Sequence, residues 1–181
     1  MKTTRSALAL AALTTLLLTG CAVMSPEECL RADWYVVGVQ DGQDGEPLGR
    51  LDQRAEACAE VKVVPDANRY LAGRAQGLAG YCRLEQAALL GLAGKSYQGV
   101  CPVGVDAEFR RRHAVGADLY QARKAVDDLD TRRRNLEAQL SRAKSDKERQ
   151  DVRDDLRRLD RDYRYARDRA RDAEWNFDRL R

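Results

Sequence analysis

Residues 70–82 read YLAGRAQGLAGYC, and glycine returns at Gly73, Gly77 and Gly80 within a pattern that is otherwise helical. Glycine costs a helix interior about 1 kcal/mol relative to alanine, so this density of glycine needs a physical reason. The stretch lacks the spacing of a phosphate-binding loop, and Arg74 interrupts it too early for a membrane-spanning dimer motif. We therefore predict that Gly73 and Gly77 let a second helix approach closely, and that Gly80 caps the helix end.

The same arrangement of an aromatic residue and two glycines occurs earlier in the chain. The aromatic-x-x-Gly-x-x-x-Gly spacing that begins at Tyr70 is also present at Tyr35, Gly38 and Gly42. We therefore assign Gly38 and Gly42 to the same kind of helix contact. The Gly-Leu-Ala-Gly run of residues 77–80 occurs again at residues 91–94, although the spacing of these repeats is too irregular for a solenoid.

Capping and turn residues divide the region before residue 105 into predicted helices. Ser25 and Glu28 form a capping box with Pro26 at the first helical position, and the helix they open ends in the glycine-rich stretch 41–49. Asp66 is the expected N-cap of the helix that contains residues 70–82. The other expected segments are a helix over residues 50–61, a helix over residues 83–94 and a turn over residues 95–104.

Four cysteines follow residue 21, and an even number in an exported chain predicts two disulfides. Three pairings are open, and closing the shorter loops costs less chain entropy. This favours Cys29–Cys58 together with Cys82–Cys101. A zinc site is the alternative, but the chain has no C-x-x-C motif and His113 is its only histidine.

These segments together resemble a known family of bacterial lipoproteins. The resemblance rests on EECLRADWYVVGVQDG (27–42), PDANRYLAGRAQGLAGYC (65–82) and GLAGKSYQGVCP (91–102), followed by Phe109 and Gly116. The family is known only as a domain of unknown function, family 2799, and the resemblance covers about residues 27–120. It implies no activity, cofactor or catalytic residue for this chain.

The first twenty residues carry the signs of an export signal. Lys2 and Arg5 precede an apolar run that is too short to span a bilayer. The run ends at Leu18-Thr19-Gly20-Cys21, which resembles the lipobox of bacterial lipoproteins and implies a covalent lipid on Cys21. An ordinary secretory signal with a chance cysteine is the alternative. Ala22 in place of aspartate implies, by the same resemblance, transfer to the outer membrane.

From residue 106 the composition becomes highly charged, and apolar residues recur at 4-3 spacing. Two such seams are separated by a gap of nine residues, which a continuous coiled coil does not accommodate. A second capping box, Ser145 with Glu148, lies inside this gap. We therefore predict an antiparallel helical hairpin with its turn near residues 144–145. One long bent helix that pairs in an oligomer is the alternative.

Acidic and basic residues alternate on the outer faces of this predicted hairpin. After removal of Lys2 and Arg5 with the signal, the formal net charge falls from +3 to +1. Nucleic-acid binding is not expected, because a nucleic-acid-binding surface has basic residues without interleaved acids. Acid-first pairs four residues apart support the helices. They are Asp128–Arg132, Asp130–Arg134, Asp154–Arg158 and Asp160–Arg164, and Arg132–Arg134 is the one basic cluster.

Few residues are arranged for catalysis. His113 stands in no catalytic motif, and the oxygen-rich stretch 41–46 lacks the ligand spacing of an EF-hand calcium loop. An envelope hydrolase would need Asp33, Asp41 and Glu85 to share one cleft. The aromatic residues are expected to form core first and a sugar-stacking platform second. They are Trp34, Tyr35, Tyr70, Tyr81 and Tyr97.

The sequence therefore predicts an all-α lipoprotein in three parts. They are a signal peptide (1–20), a small disulfide-stapled helical domain (21–105) and a charged coiled-coil hairpin (106–181). We expect a non-enzymatic envelope scaffold or adaptor without a metal or a cofactor besides the lipid, held at the periplasmic side of the outer membrane. Its partner, or a second copy, would bind through residues 115–181. A peptidoglycan-binding module is the alternative function, and an envelope hydrolase is a weaker one.

The lipid on Cys21 is directly testable in cells. We expect Cys21→Ala to abolish palmitate labelling and to release the protein from the membrane fraction, because several acyl chains each contribute about 0.8 kcal/mol per buried methylene. Radiolabelled palmitate and membrane fractionation measure both effects. A Cys21→Ala protein that stayed labelled and membrane-bound would show that the lipid is attached elsewhere.

Overall fold

The computed structural model describes residues 23–180, and the regular secondary structure of this part consists of helices. The proposed signal peptide and Cys21 lie outside the described residues. No helix in the described part is long and apolar enough to cross a membrane. The elements in order are α1 (Pro26–Arg31), α2 (Trp34–Asp44), α3 (Arg50–Cys58) with a 3-10 turn (Ala59–Val61), α4 (Ala67–Tyr81), α5 (Leu84–Leu92), α6 (Val103–Arg142) and α7 (Asp146–Asp178).

The first predicted helix is divided in two. Ser25 and Glu28 form the expected capping box at the start of α1. The helix nevertheless stops after Arg31, because Asp33 caps a new helix and accepts a hydrogen bond from the backbone N–H of Tyr35 at 2.9 Å. The prediction of one continuous helix from residue 25 to the glycines was therefore wrong.

Helices α2 and α4 run parallel and touch backbone to backbone. An added Cβ at Gly38 would lie 2.1 Å from the carbonyl oxygen of Tyr70, and one at Gly77 would lie 2.2 Å from that of Val39. Gly42 and Gly73 are equally restricted. Only a hydrogen atom fits at these four positions. The four glycines predicted from the sequence are therefore the ones at which α2 and α4 touch.

Helices α5 and α6 repeat this contact in the same register. Gly91 stands three residues before Gly94 as Gly42 stands three before Gly45, and in each case the second glycine has a positive φ. A Cβ at Gly91 would lie 2.1 Å from the carbonyl oxygen of His113. The rings that cover the two positive-φ glycines are also equivalent. They are Tyr81 over Gly45 and Tyr120 over Gly94. The irregular glycine repeat in the sequence thus corresponds to a helix pair that occurs twice in the structure.

Each helix pair is tied by a disulfide at its N-terminal end. Cys29 precedes α2 and bonds Cys58, which ends the helix before α4. Cys82 precedes α5 and bonds Cys101, which lies just before α6. The Cα atoms are 5.5 Å and 5.6 Å apart, and these are the two pairs that the shorter loops favour.

The end of α4 differs from the prediction. Gly80 lies inside the helix, which continues to Tyr81 and is capped by Cys82. Nothing lies within 4 Å of a Cβ built at Gly80. Gly80 is therefore neither a cap nor a packing contact, and its assignment as the helix cap was wrong.

Helices α6 and α7 form the predicted antiparallel hairpin, and the alternative of one long bent helix is excluded. Ser145 caps α7 by accepting a hydrogen bond from the backbone N–H of Glu148. Every predicted seam residue is buried or half-buried, including Leu136, Val152 and Leu159, which pack together near the turn. At 1.5 Å per residue, the 40-residue α6 is about 60 Å long.

The hairpin and the small domain share one helix. α6 begins at Val103 and its first half packs on α5 through Gly91 and Gly116. The end of α7 closes the same base, where Leu119, Ala173 and Phe177 are buried against the side of α5. The base of the hairpin is therefore built into the folded domain.

The glycine contact can be tested with two neighbouring alanine substitutions. We expect Gly77→Ala to lower the free energy of unfolding by about 3 kcal/mol, because its methyl group collides with backbone atoms of α2 that cannot move aside. Gly80→Ala is the matched control on the same helix. It should raise stability by about 0.5–1 kcal/mol, because it meets no atom and removes a helix glycine. Denaturant unfolding followed by circular dichroism measures both, and equal effects of the two substitutions would contradict the packing.

Candidate functional site

The three carboxylates considered for hydrolysis do not act together. Asp33 caps α2 and pairs with Arg69 on the surface. Glu85 is exposed in the first turn of α5. Asp41 is buried beneath its own hydrogen-bond partners. Each carboxylate has its own structural surroundings, so the cleft that a hydrolase requires is not built from this set.

Asp41 is the centre of a buried polar network that the sequence did not reveal. Its side chain is 2% exposed and forms a bidentate ion pair with Arg54, whose Nε and Nη2 donate to the two carboxylate oxygens, the Nε bond at 2.8 Å. The hydroxyl of Tyr70 donates to the same carboxylate at 2.7 Å. Burial and this hydrogen bond raise the pKa of Tyr70 well above its usual range, and the bond to Asp41 raises the pKa of Arg54. The network joins α2, α3 and α4.

The predicted aromatic set is mostly core. Trp34, Tyr70 and Tyr81 are buried, and only Tyr35 has a substantially exposed ring. Tyr97 is half-buried against Phe109, with ring centroids 4.8 Å apart. Burial and a hydrogen bond to Asp106 raise the pKa of Tyr97 to about 12. These residues stabilise the domain and do not form an open stacking platform.

The residues considered for metal binding or general base catalysis also have structural partners. The Nε2 atom of His113 lies 2.7 Å from the carbonyl oxygen of Lys95 and so holds the α5–α6 loop to α6. All four cysteines of the described region are in disulfides and offer no thiolate for zinc. Across residues 23–180, no group of three or more His, Cys, Asp or Glu side chains is placed to hold a metal ion.

An open groove lies along α1 and α2 at the start of the described chain. Its volume is about 710 Å³, and its walls combine Val23, Val36 and Val37 with the carboxylates of Glu27 and Glu28. Arg54 reaches this groove and its Nη1 donates to the carbonyl oxygen of Val23 at 3.4 Å. The groove therefore lies two residues from Cys21, over the buried network.

The hairpin surface is covered with ion pairs of both signs. Asp118–Arg169 and Arg123–Glu174 link the two helices, at 3.0 Å and 2.6 Å. The acid-first spacing of four residues occurs at Asp106–Arg110 and Glu108–Arg112, but the predicted acids Asp128, Asp130 and Asp154 further along the hairpin have other partners. Asp128 pairs with Lys124, and several arginines pair with the acid three residues earlier. These pairs are Asp130–Arg133, Asp154–Arg157, Asp155–Arg158 and Asp168–Arg171.

The basic cluster at residues 132–134 is partly neutralised by its neighbours. Arg133 pairs with Asp130 at 3.0 Å and lies over the ring of Tyr163 at 5.5 Å. Arg134 donates to the hydroxyl of Thr131. Acids and bases alternate here as elsewhere on the hairpin, which is not the uninterrupted basic surface that binds nucleic acid.

These features define an all-α protein with two disulfide-tied helix pairs and a projecting helical hairpin. The two disulfides indicate an oxidising, extracytoplasmic compartment. Residues 33–118 match the family described as "Protein of unknown function (DUF2799)", and this segment of the chain is a DUF2799 domain. The resemblance to this domain family is thus confirmed for residues 33–118. The match covers both glycine-packed helix pairs and stops where α6 leaves the domain.

No curated protein and no solved structure matches the chain.

The structural role of Asp41 can be separated from that of Asp33 by the same substitution at both positions. We expect Asp41→Asn to lower the free energy of unfolding by about 3 kcal/mol, because the partly buried charge of Arg54 loses its partner. Asp33→Asn should change stability by less than about 0.5 kcal/mol, because asparagine caps helices as well as aspartate and the lost ion pair is exposed. Chemical denaturation of the two variants makes the comparison. Equal losses would contradict the central role of Asp41.

Proposed function

We propose that this protein is a non-enzymatic scaffold of the bacterial envelope, anchored in the outer membrane by a lipid on Cys21 and facing the periplasm. Its hairpin is the contact surface for another protein. One observation carries the proposal: beyond Ala122 and Ala170, the two helices pack only on each other in the hydrophobic core. We name this part, residues 123–142 and 146–169, the distal hairpin.

The length of the distal hairpin supports a contact role. About 20 residues of α6 lie beyond the domain, which is about 30 Å of rigid helix. A helical pair of this length is not needed to complete the small domain, whose own cores lie around the two disulfides. Its buried seam maintains a stiff projection, and its charged outer faces keep that projection in water.

The position of the anchor supports a fixed orientation. Met24 is 6% exposed and packs in the core with Cys29, Trp34 and Tyr70. Met24 is the third residue after Cys21, and three residues extend at most about 11 Å, so a lipid on Cys21 would hold the small domain close to the bilayer. The hairpin, which is built into this domain, would then be presented at a fixed place relative to the membrane.

The catalytic and glycan-binding alternatives have less support. Asp41 is occupied by Arg54 and Tyr70, so it is not free for acid–base chemistry. Of the aromatic set, Trp34, Tyr70 and Tyr81 are buried and not available for stacking on sugars. Neither alternative gains a specific observation in its favour.

The contact role is tested by shortening the hairpin without disturbing its seam. Deletion of residues 129–135 together with residues 156–162 removes one heptad from each arm and preserves the 4-3 spacing. The tip then moves about 10 Å toward the domain. With a photo-crosslinking amino acid at position 147 of the tip, we expect crosslinks to envelope proteins in intact cells to be lost from the shortened protein.

A crosslinking amino acid at position 64 is the matched control. Val64 is 85% exposed between α3 and α4 of the small domain and lies outside the hairpin, so its crosslinks should stay unchanged. Unchanged palmitate labelling shows that the anchor is intact. Full retention of the crosslinks from position 147 in the shortened protein would overturn the proposed contact role of the distal hairpin.

A further inference from the structure

One face of the hairpin, where the distal hairpin begins, carries an apolar groove between the two helices. The groove has a volume of about 320 Å³, and its floor is formed by Ala122, Leu129 and Ala166. Ala125 and Tyr165 form its upper walls outside the buried seam, and the Tyr165 side chain is 69% exposed. An exposed tyrosine beside an exposed alanine, on a surface rich in charged residues, is typical of a contact site.

The groove has an internal symmetry. Its residues on α6 span positions 121–129, and its residues on α7 span positions 162–169. Ala125 is the centre of the first span, and Tyr165 with Ala166 is the centre of the second. The two centres therefore lie opposite each other at the same level of the hairpin. A two-fold axis through this level would turn the groove onto itself.

We propose that the groove binds a second copy of this chain, with the two hairpins face to face and antiparallel about this level. The inference rests on the proposed function only in taking the hairpin as the contact surface, and it names the partner. The arrangement is isologous, so Ala125 meets Ala125 of the second copy and the two Tyr165 rings meet near the axis. The product is a four-helix bundle.

Charge complementarity supports this partner. On the groove face of α6, Asp118 and Arg132 lie at equal distances from Ala125 and carry opposite charges. On α7, positions whose distances from the centre of its span agree to within one residue also carry opposite charges. The antiparallel dimer therefore brings acids onto bases. The opposed pairs are Asp118 with Arg132, Arg158 with Asp172, and Asp162 with Arg169.

The parallel arrangement of two hairpins is disfavoured by the same residues. With both tips pointing the same way, α6 of one copy would face α7 of the other at equal levels. Like charges would then meet at three places along the groove face. They are Asp118 with Asp172, Asp128 with Asp162, and Arg132 with Arg158. The charge pattern thus selects one orientation as well as one partner.

The surface beside the domain leaves room for the partner's tip. The antiparallel dimer places the turn of one copy beside the start of α6 of the other. On the groove face of that segment, Ala107, Ala114 and Arg111 are exposed. The α5 helix packs on the opposite side of α6, through Gly116 and Tyr120. The two α6 helices overlap over residues 108–142, which is about 50 Å of helix and enough for a stable interface.

Site-directed crosslinking tests the orientation in the full-length, membrane-anchored protein. We expect Ala125→Cys to form a disulfide-linked dimer in intact cells, because position 125 meets itself at the axis. Asp127→Cys is the matched control at the same level on the other side of α6, and it should stay monomeric. Efficient dimers from Asp127→Cys, or crosslinking of Ala125→Cys only with a Tyr165→Cys copy, would overturn the proposed arrangement.

A charge exchange tests the interface in the detergent-purified full-length protein. We expect Arg158→Asp alone, and Asp172→Arg alone, to raise the dimer dissociation constant about tenfold. Each substitution brings two like charges together, and the two-fold symmetry repeats this repulsion at a second place in the dimer. The double variant should restore the dimer. Analytical ultracentrifugation measures the constant, and circular dichroism confirms that each variant is folded. A monomeric wild-type protein, or a double variant no better than the single ones, would overturn the proposal.

Failure of the proposed dimer can be distinguished from failure of the proposed contact role of the hairpin. If the purified protein is monomeric while position 147 still crosslinks to other envelope proteins in cells, the hairpin is a contact surface for a different partner. If the protein dimerises but no hairpin-dependent neighbour other than a second copy is captured, the chain acts through self-association.

Discussion

A methyl group at Gly77 would meet the carbonyl oxygen of Val39 at 2.2 Å, and one at Gly38 would meet that of Tyr70 at 2.1 Å. This reciprocal backbone contact fixes how far apart α2 and α4 lie and which turns face each other. The same contact between Gly91 and Gly116 fixes α5 against α6. Because helices at this distance exclude intervening side chains, apolar packing moves to the flanks, where Tyr81 and Phe109 join the two pairs.

The disulfides and the buried ion pair follow from this parallel arrangement. Two parallel helices need a connection that returns to the starting end, and in both pairs a disulfide fastens that connection where the second helix is about to begin. In the first pair the connection is itself a helix, α3, and Arg54 on it reaches Asp41. Asp41 directly precedes Gly42, so it lies next to the backbone contact, where a carboxylate is buried and needs a partner.

Features encoded locally could be predicted from the sequence. The heptad seam, the capping residues Ser25 and Ser145 and the hairpin turn each depend on residues close in the chain. The resemblance over residues 27–120 likewise anticipated the DUF2799 domain found at residues 33–118. The buried ion pair escaped prediction, because Arg54 and Asp41 lie 13 residues apart on two elements and no motif connects them. Gly80 was misassigned because its sequence neighbours resemble a cap, although α4 continues one residue further.

The contact between α5 and α6 links the small domain to the hairpin mechanically. Since α6 is at once the second helix of a glycine-packed pair and the first arm of the hairpin, bending the hairpin at its base would separate Gly91 from Gly116. The end of α7 opposes the same motion, because Phe177 is 5% exposed in the core that includes Leu92 of α5. A hinge would require open space at this junction, and buried side chains fill it. The two helix pairs therefore have different roles. The first pair packs against the start of the described chain at Met24, and the second pair holds the base of the hairpin rigid.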